Sequence, residues 1–163
     1  MSKQLTTIEL FKEDMKFSAA HYTIFSATER ETLHGHNFKV YAAITASINS
    51  LGMPFDYDIY KTKLRKLCKE LNQLTLIAGT SEHQRLEKDG DYLYVHFADE
   101  KIPFLNKDVK ILPICNITVE ELAGWFINRL TADASEITKY GISDIVIKVY
   151  SGEGQCAGIQ WDK

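Results

Sequence analysis

The chain has little of what would staple it, anchor it in a membrane or draw it to nucleic acid. Its three cysteines, Cys68, Cys115 and Cys156, include no CxxC pair, so neither a disulfide framework nor a cysteine-rich zinc site is expected, and all three read as small buried hydrophobes. No apolar run approaches the roughly 18 residues of a membrane span, and the opening segment MSKQLTTIELFKEDMKF has no continuous apolar stretch of the signal-peptide kind. A cytoplasmic protein without a membrane partner is the expectation. Basic residues are in slight deficit, 19 against 22 acidic for a net charge of -3, which argues against nucleic acid as a partner.

What is present is an ordinary globular balance. Hydrophobic residues make up 45% of the 163 positions and charged ones 25%, enough to bury one core, so a single domain over 1–163 is expected. No repeat, linker or low-complexity region interrupts it. Residues 5–22 and 36–48 carry β-branched and aromatic residues in partial alternation and read as two long strands, with a polar loop, TIFSATERETLHG, between them. After the breaker SLGMPFD, the residues Tyr60, Leu64, Leu67 and Leu71 fall on one face of a helix that Asp56 or Asp58 would cap.

The stretch 79–112 reads as an insertion: LEKDGD turns into the strand DYLYVHF, and one or two short extended pieces follow. A second helix starts at NITVEELAGWFINRL, where Thr118 and Glu121 make a capping box and Leu122, Phe126 and Leu130 form the buried stripe. Two strands, ISDIVIKVY and QCAGIQW, close the chain around the turn SGEG. The expected fold is α+β, an antiparallel sheet with two helices on one face.

Three of the five histidines lie close together in sequence. His34 and His36 flank one glycine, and at the start of a strand both side chains project from the same face. His21 ends the preceding strand, and antiparallel pairing would bring its imidazole to the same point. Three neutral imidazoles suit Zn²⁺ and leave a fourth position open for water or substrate, the arrangement of a catalytic rather than a structural site. His83 and His96 have no companions and read as surface or hairpin residues. An isolated HxH is also a common surface feature, and a cysteine from elsewhere in the fold would convert an open site into a closed, structural one.

FSAAH, then a loop, then LHGHNF resembles the signature of the family of 6-pyruvoyl-tetrahydropterin synthases and 6-carboxy-tetrahydropterin synthases (QueD). Asp56-Tyr57 resembles the family's Asp-Phe before its first helix, NITVEELA resembles its PT-x-E-N-L-A helix start, and the ββααββ order is that of the tunnelling (T-) fold. The resemblance covers nearly the whole chain outside the insertion. It implies a zinc enzyme with His21, His34 and His36 as metal ligands, acting on 7,8-dihydroneopterin triphosphate or a near relative, with sites between subunits of a homohexamer built from two trimers. The reactions it implies are triphosphate elimination, loss of acetaldehyde on the way to queuosine, or side-chain cleavage toward a folate precursor.

The chain departs from that pattern in three places. The family's base cysteine before HGH is missing, and Glu31 resembles the glutamate that replaces it in one branch of the family; a solvated loop carboxylate is the plainer reading of the same residue. Asn72-Gln73 stands where the family has an Asp-His proton relay, and neither amide titrates. Ser151 stands where the family has a glutamate that anchors the pterin ring. Glu153, between Gly152 and Gly154, is the candidate replacement or else a solvated residue at a hairpin tip, and Thr118 joins Ser151 and Glu153 as a candidate substrate contact. These departures leave an alternative open: a family member that kept fold and zinc but binds or transforms a different pterin or purine-like ligand.

Overall fold

The computed structural model describes residues 4–163. Ten strands and three helices follow one another as β1 (Leu5–Leu10), β2 (Lys16–His21), β3 (His34–Ser47), α1 (Asp58–Leu71), β4 (Leu74–Ala78), β5 (Gln84–Asp89), β6 (Tyr92–Phe97), β7 (Glu100–Leu105), β8 (Val109–Leu112), α2 (Val119–Leu130), α3 (Ala134–Lys139), β9 (Ile142–Gly152) and β10 (Gln155–Asp162). The class is the expected α+β, a T-fold sheet with helices against one face. No helix among the described residues is long and apolar enough to cross a membrane.

The 14-residue strand β3 organises the main sheet, whose order is β10-β9-β3-β2-β4-β8. Its first half pairs with β2 and its second half with β1, both antiparallel, while β9 runs along its other side. The single strand expected over 5–22 is therefore two. Residues 11–15 turn out of the sheet, closed by Met15 N–H to the Lys12 carbonyl, and rejoin it through Val40 N–H to the Met15 carbonyl. β3 starts at His34 rather than 36, because His34 pairs with His21 at the end of β2.

The sheet is mixed rather than wholly antiparallel. β4 runs parallel to both β2 and β8, an arrangement that needs a crossover, and α1 supplies the one from β2 and β3 to β4. The insertion is more regular than its sequence suggested: β5, β6 and β7 form a separate three-stranded antiparallel sheet. Its apolar face, Leu93, Val95 and Phe97, packs on Ile77, Tyr22 and Ile24 as a second small core. A third helix, α3, was not expected. It is only six residues long and is capped by Asp133, whose carboxylate accepts from the backbone N–H groups of Ser135 and Glu136.

The main core lies between sheet and helices. Tyr60, Leu64, Leu67 and Leu71 of α1 and Leu122, Phe126 and Leu130 of α2 are buried as their spacing implies. Cys68 is buried as expected, whereas Cys115 and Cys156 are exposed, since one lies in an irregular linker and the other on the terminal strand. Phe17 of β2 and Phe38 of β3 stack at 4.9 Å between centroids directly below the histidines, with Phe38 edge-on to both His21 and His36. Phe38 has no exposed surface, so Phe38→Ala is expected to cost about 3–5 kcal/mol through lost burial and the cavity left behind, read as a lowered urea midpoint.

Candidate metal centre and proton-transfer site

The histidine cluster is a product of strand register. In the β2–β3 ladder His21 lies opposite His34 and Ala19 opposite His36. Side chains alternate along a strand, so His21, His34 and His36 leave the same face as the buried Phe17 and Phe38. Between the two imidazoles of β3, Gly35 keeps the backbones close: a Cβ there would meet the Ala19 carbonyl oxygen at 3.3 Å. Each histidine offers one nitrogen to a common point, all three within 4.8 Å of one another.

The hydrogen bonds fix which nitrogens those are. His21 Nδ1 lies 2.8 Å from the Ile117 carbonyl and His34 Nδ1 lies 2.7 Å from the Thr32 carbonyl. A carbonyl only accepts, so both Nδ1 atoms carry the proton and both Nε2 atoms present bare lone pairs. His21 Nε2 is buried and has no partner, and His34 Nε2 stands 3.0 Å from His36 Nε2. An unsatisfied buried nitrogen costs about 1–3 kcal/mol, and a cation at the common point removes that cost. Tetrahedral Zn²⁺ with bonds of about 2.0–2.1 Å spaces its nitrogens about 3.3 Å apart, close to the separation between His34 and His36. The donor set fits such an ion.

Glu31 sits beside this cluster, half-buried in the loop between β2 and β3. The Thr23 N–H donates to its carboxylate at 2.9 Å, and its own N–H donates to the Thr23 carbonyl. Burial pushes its pKa up, but the Thr23 hydrogen bonds and the fields of His34 and His21 outweigh that and hold it below the usual carboxylate value. The carboxylate is thus ionised and fixed in direction, unlike a solvated loop residue. It lines a cavity of about 520 Å³ with Phe25, Arg30 and Glu100, in which Arg30 pairs with Glu100.

The other candidates are placed as follows. Thr118 is the N-cap of α2, its hydroxyl oxygen accepting from Glu121 N–H, and it follows Ile117, which holds His21. The reciprocal bond of the capping box is displaced: the Glu121 carboxylate reaches back to Cys115 N–H instead of to Thr118. Asn72 accepts from Ser18 N–H at 2.8 Å, and Gln73, with φ at 62°, lines a cavity of about 420 Å³ with Ser18, Asn37 and His36. Ser151 and Glu153 stand at the β9–β10 turn, where Ser151 accepts from the Gln155 amide and Gly154 takes the φ of 82° that the turn needs. Glu153 lines a separate cavity of about 770 Å³ with Phe11, Tyr41 and Tyr150, and Asn37 borders both this cavity and the one beside His36.

Sequence reasoning missed three participants, Thr23, Asn116 and Ile117, which act mainly through backbone groups or bonds to backbone. Only the capping box at Thr118 marked where their linker ends.

Comparison with known proteins gives a consistent picture. The model of the family described as 6-pyruvoyl tetrahydropterin synthase matches residues 9–160. A protein of Methanocaldococcus jannaschii named "Putative 6-carboxy-5,6,7,8-tetrahydropterin synthase" is 26% identical over 144 residues, 88% of each chain. The structure of Plasmodium falciparum 6-pyruvoyl tetrahydropterin synthase superposes with a TM-score of 0.92 at 25% identity, over 98% of this chain and 99% of that one. A Plasmodium vivax 6-pyruvoyltetrahydropterin synthase in which a catalytic glutamate is replaced by alanine superposes with a TM-score of 0.93 at 24% identity and the same coverage.

His21 makes the apo site sensitive to pH. Burial first, and then His34 and His36, hold its pKa below the usual 6.5 against the opposing Ile117 carbonyl. The unfolded chain therefore takes up this proton before the folded one does, and stability present above pH 6.5 is lost as pH falls below it. In chelator, the urea midpoint is expected to drop between neutral pH and about pH 5.5, and His21→Gln to flatten that slope.

Proposed function

The chain belongs to the 6-pyruvoyl tetrahydropterin synthase family, and from that premise we propose that it is a zinc-dependent lyase acting on the side chain of 7,8-dihydroneopterin triphosphate or a closely related pterin. The observation that carries this reading is the bare, buried Nε2 of His21 facing two further imidazoles beside a fixed carboxylate. His21, His34 and His36 would hold the ion. Zn²⁺ bound by three neutral imidazoles supplies Lewis-acid polarisation of substrate oxygens at its open position.

Glu31 is the proton carrier in this reading. Its carboxylate is ionised at neutral pH, kept in one orientation by Thr23 and placed on the histidine side of the loop, so it takes the proton that leaves the substrate side chain. Neither Asn72 nor Gln73 titrates, so neither can relay a proton. Their part is positional: Asn72 locks the end of α1 to Ser18, and Gln73 presents an amide to the cavity it shares with His36. Thr118, Ser151 and Glu153 remain our candidates for substrate contact, with Glu153 the one carboxylate among them able to accept two adjacent N–H groups of a pterin.

One observation favours a second reading. Ser151 offers one hydroxyl, already engaged by Gln155, where a pterin-anchoring carboxylate would be needed, which suits a family member that handles a different pterin or a purine-like ligand through the same metal. Turnover decides: zinc-loaded protein should consume dihydroneopterin triphosphate, and absence of any product by absorbance and mass would favour the second reading. Within the leading reading, Glu31→Gln is expected to lower activity by about 10²–10⁴-fold with zinc retained, whereas His34→Ala is expected to lose most of the metal by elemental analysis.

We also propose a homo-oligomer, a hexamer of two trimers, with sites completed between subunits. The outer edges of β10 and β8 have no strand partner within the described residues, and pairing between copies would close them. A mass of several subunits by light scattering is expected, and a monomer at micromolar concentration would exclude this assembly.

A further inference from the structure

We propose that Asn116 is a positioning residue that sets the Glu31 loop against the metal ligand His21, so that base and metal face the same substrate atom. The inference rests on the roles proposed for Glu31 and the histidines, and it adds a residue that belongs to neither.

The geometry is specific. Asn116 lies in the linker between β8 and α2, 92 residues from the segment it grips. Its Oδ1 accepts from Ile24 N–H at 3.0 Å, and its Nδ2 donates to the Ile24 carbonyl at 2.8 Å. One amide side chain thus pairs with Ile24 as a neighbouring strand would, satisfying both backbone groups of a buried residue. Ile24 sits inside the Glu31 loop, next to Thr23, which holds the carboxylate, and it bridges to Arg30 across the loop neck. Gripping Ile24 therefore fixes Thr23, and Thr23 fixes Glu31.

The same side chain reaches the metal arm. Asn116 Oδ1 also accepts from Ile117 N–H at 3.0 Å, and the Ile117 carbonyl receives the His21 Nδ1 proton at 2.8 Å. That second bond selects the tautomer that leaves His21 Nε2 bare for the ion, the role carbonyls commonly play behind metal-bound histidines. The linker is itself held rigid by Glu121 on Cys115 N–H and by Thr118 capping α2. Asn116 thus joins two otherwise separate supports, and an error of about 1 Å between a base and its reacting atom costs about 10²-fold in rate.

Two substitutions separate the arms. Asn116→Asp keeps the oxygen that accepts from Ile24 and Ile117 but loses the donor to the Ile24 carbonyl, while Asn116→Ala loses all three bonds. In the full chain, amide exchange by mass spectrometry over residues 22–31 is expected to quicken about tenfold in both variants, with exchange in β9 unchanged. The visible bands of the cobalt-substituted protein should shift in Asn116→Ala and stay in place in Asn116→Asp. With dihydroneopterin triphosphate, kcat should fall about 10²-fold in Asn116→Ala while KM stays within about twofold.

Unchanged exchange over 22–31 overturns the proposal, as does exchange that quickens equally in every strand, since that marks a general fold staple. A wild-type protein with no turnover refutes the proposed reaction alone. The exchange and cobalt readings then still decide the role of Asn116.

Discussion

Everything at the site depends on the register of β2 against β3. Because side chains alternate across a strand, a slip of one residue would send all the inward residues of β2 to the opposite face. His21 would then leave the face that His34 and His36 share. Two features pin the register: the stacked pair Phe17 and Phe38 on the core face two steps from the histidines, and the length of β3, which must also satisfy β1 and β9. The same ladder places Gly35 opposite Ala20, where a side chain would press on the Ala19 carbonyl oxygen. The histidine cluster is therefore inherited from core packing, and its imidazoles need no separate device to converge.

Leaving a buried ring nitrogen bare is nonetheless unfavourable without a cation. His21 Nε2 is buried without a partner, and the fold tolerates this because the Ile117 carbonyl anchors the far side of the His21 ring, as the Thr32 carbonyl does for His34. Those anchors are rigid backbone, so the rings cannot easily turn away. A site held in this way would bind an ion with little reorganisation, which is the physical meaning of preorganisation. It also leaves the chain more dependent on proton concentration when no ion is bound.

Sequence made part of this legible. HGH at the head of a strand with a histidine closing the previous one is a local pattern, and period-2 alternation converts it into a cluster without further information. The helical stripes of α1 and α2 are local in the same sense. What escaped was non-local or carried by backbone. β4 is five residues long, enters from Gln73 at a positive φ and gains its place from parallel neighbours β2 and β8, and no short-range pattern announces such a strand. The turn inside residues 5–22 exists because β3 changes partner midway, a fact about a different segment. Asn116 and Ile117 act on His21 and Ile24 across more than 90 residues, and in sequence they are only the residues before a helix cap. Cys115 and Cys156 show the converse, since composition alone suggested burial and their placement on a linker and a terminal strand denied it.

Asn72 and Gln73 bring no titrating group to the site, which bears on the proposed reaction. Asn72 accepts from Ser18 N–H and Gln73 N–H donates to the Ser18 carbonyl at 2.6 Å, so the two residues splice the end of α1 onto β2. With amides there, the proposed proton transfer would fall on Glu31, whose carboxylate is held below its usual pKa and is for that reason a weak base. The largest influence acting the other way is burial, which raises it, and Glu31 is only half covered in the isolated chain. A substrate or a neighbouring subunit that covers the carboxylate strips its remaining water and strengthens it as a base. In the proposed reaction the low resting value would keep Glu31 ionised while the carboxylate is open to water, and its basicity would rise once it is covered.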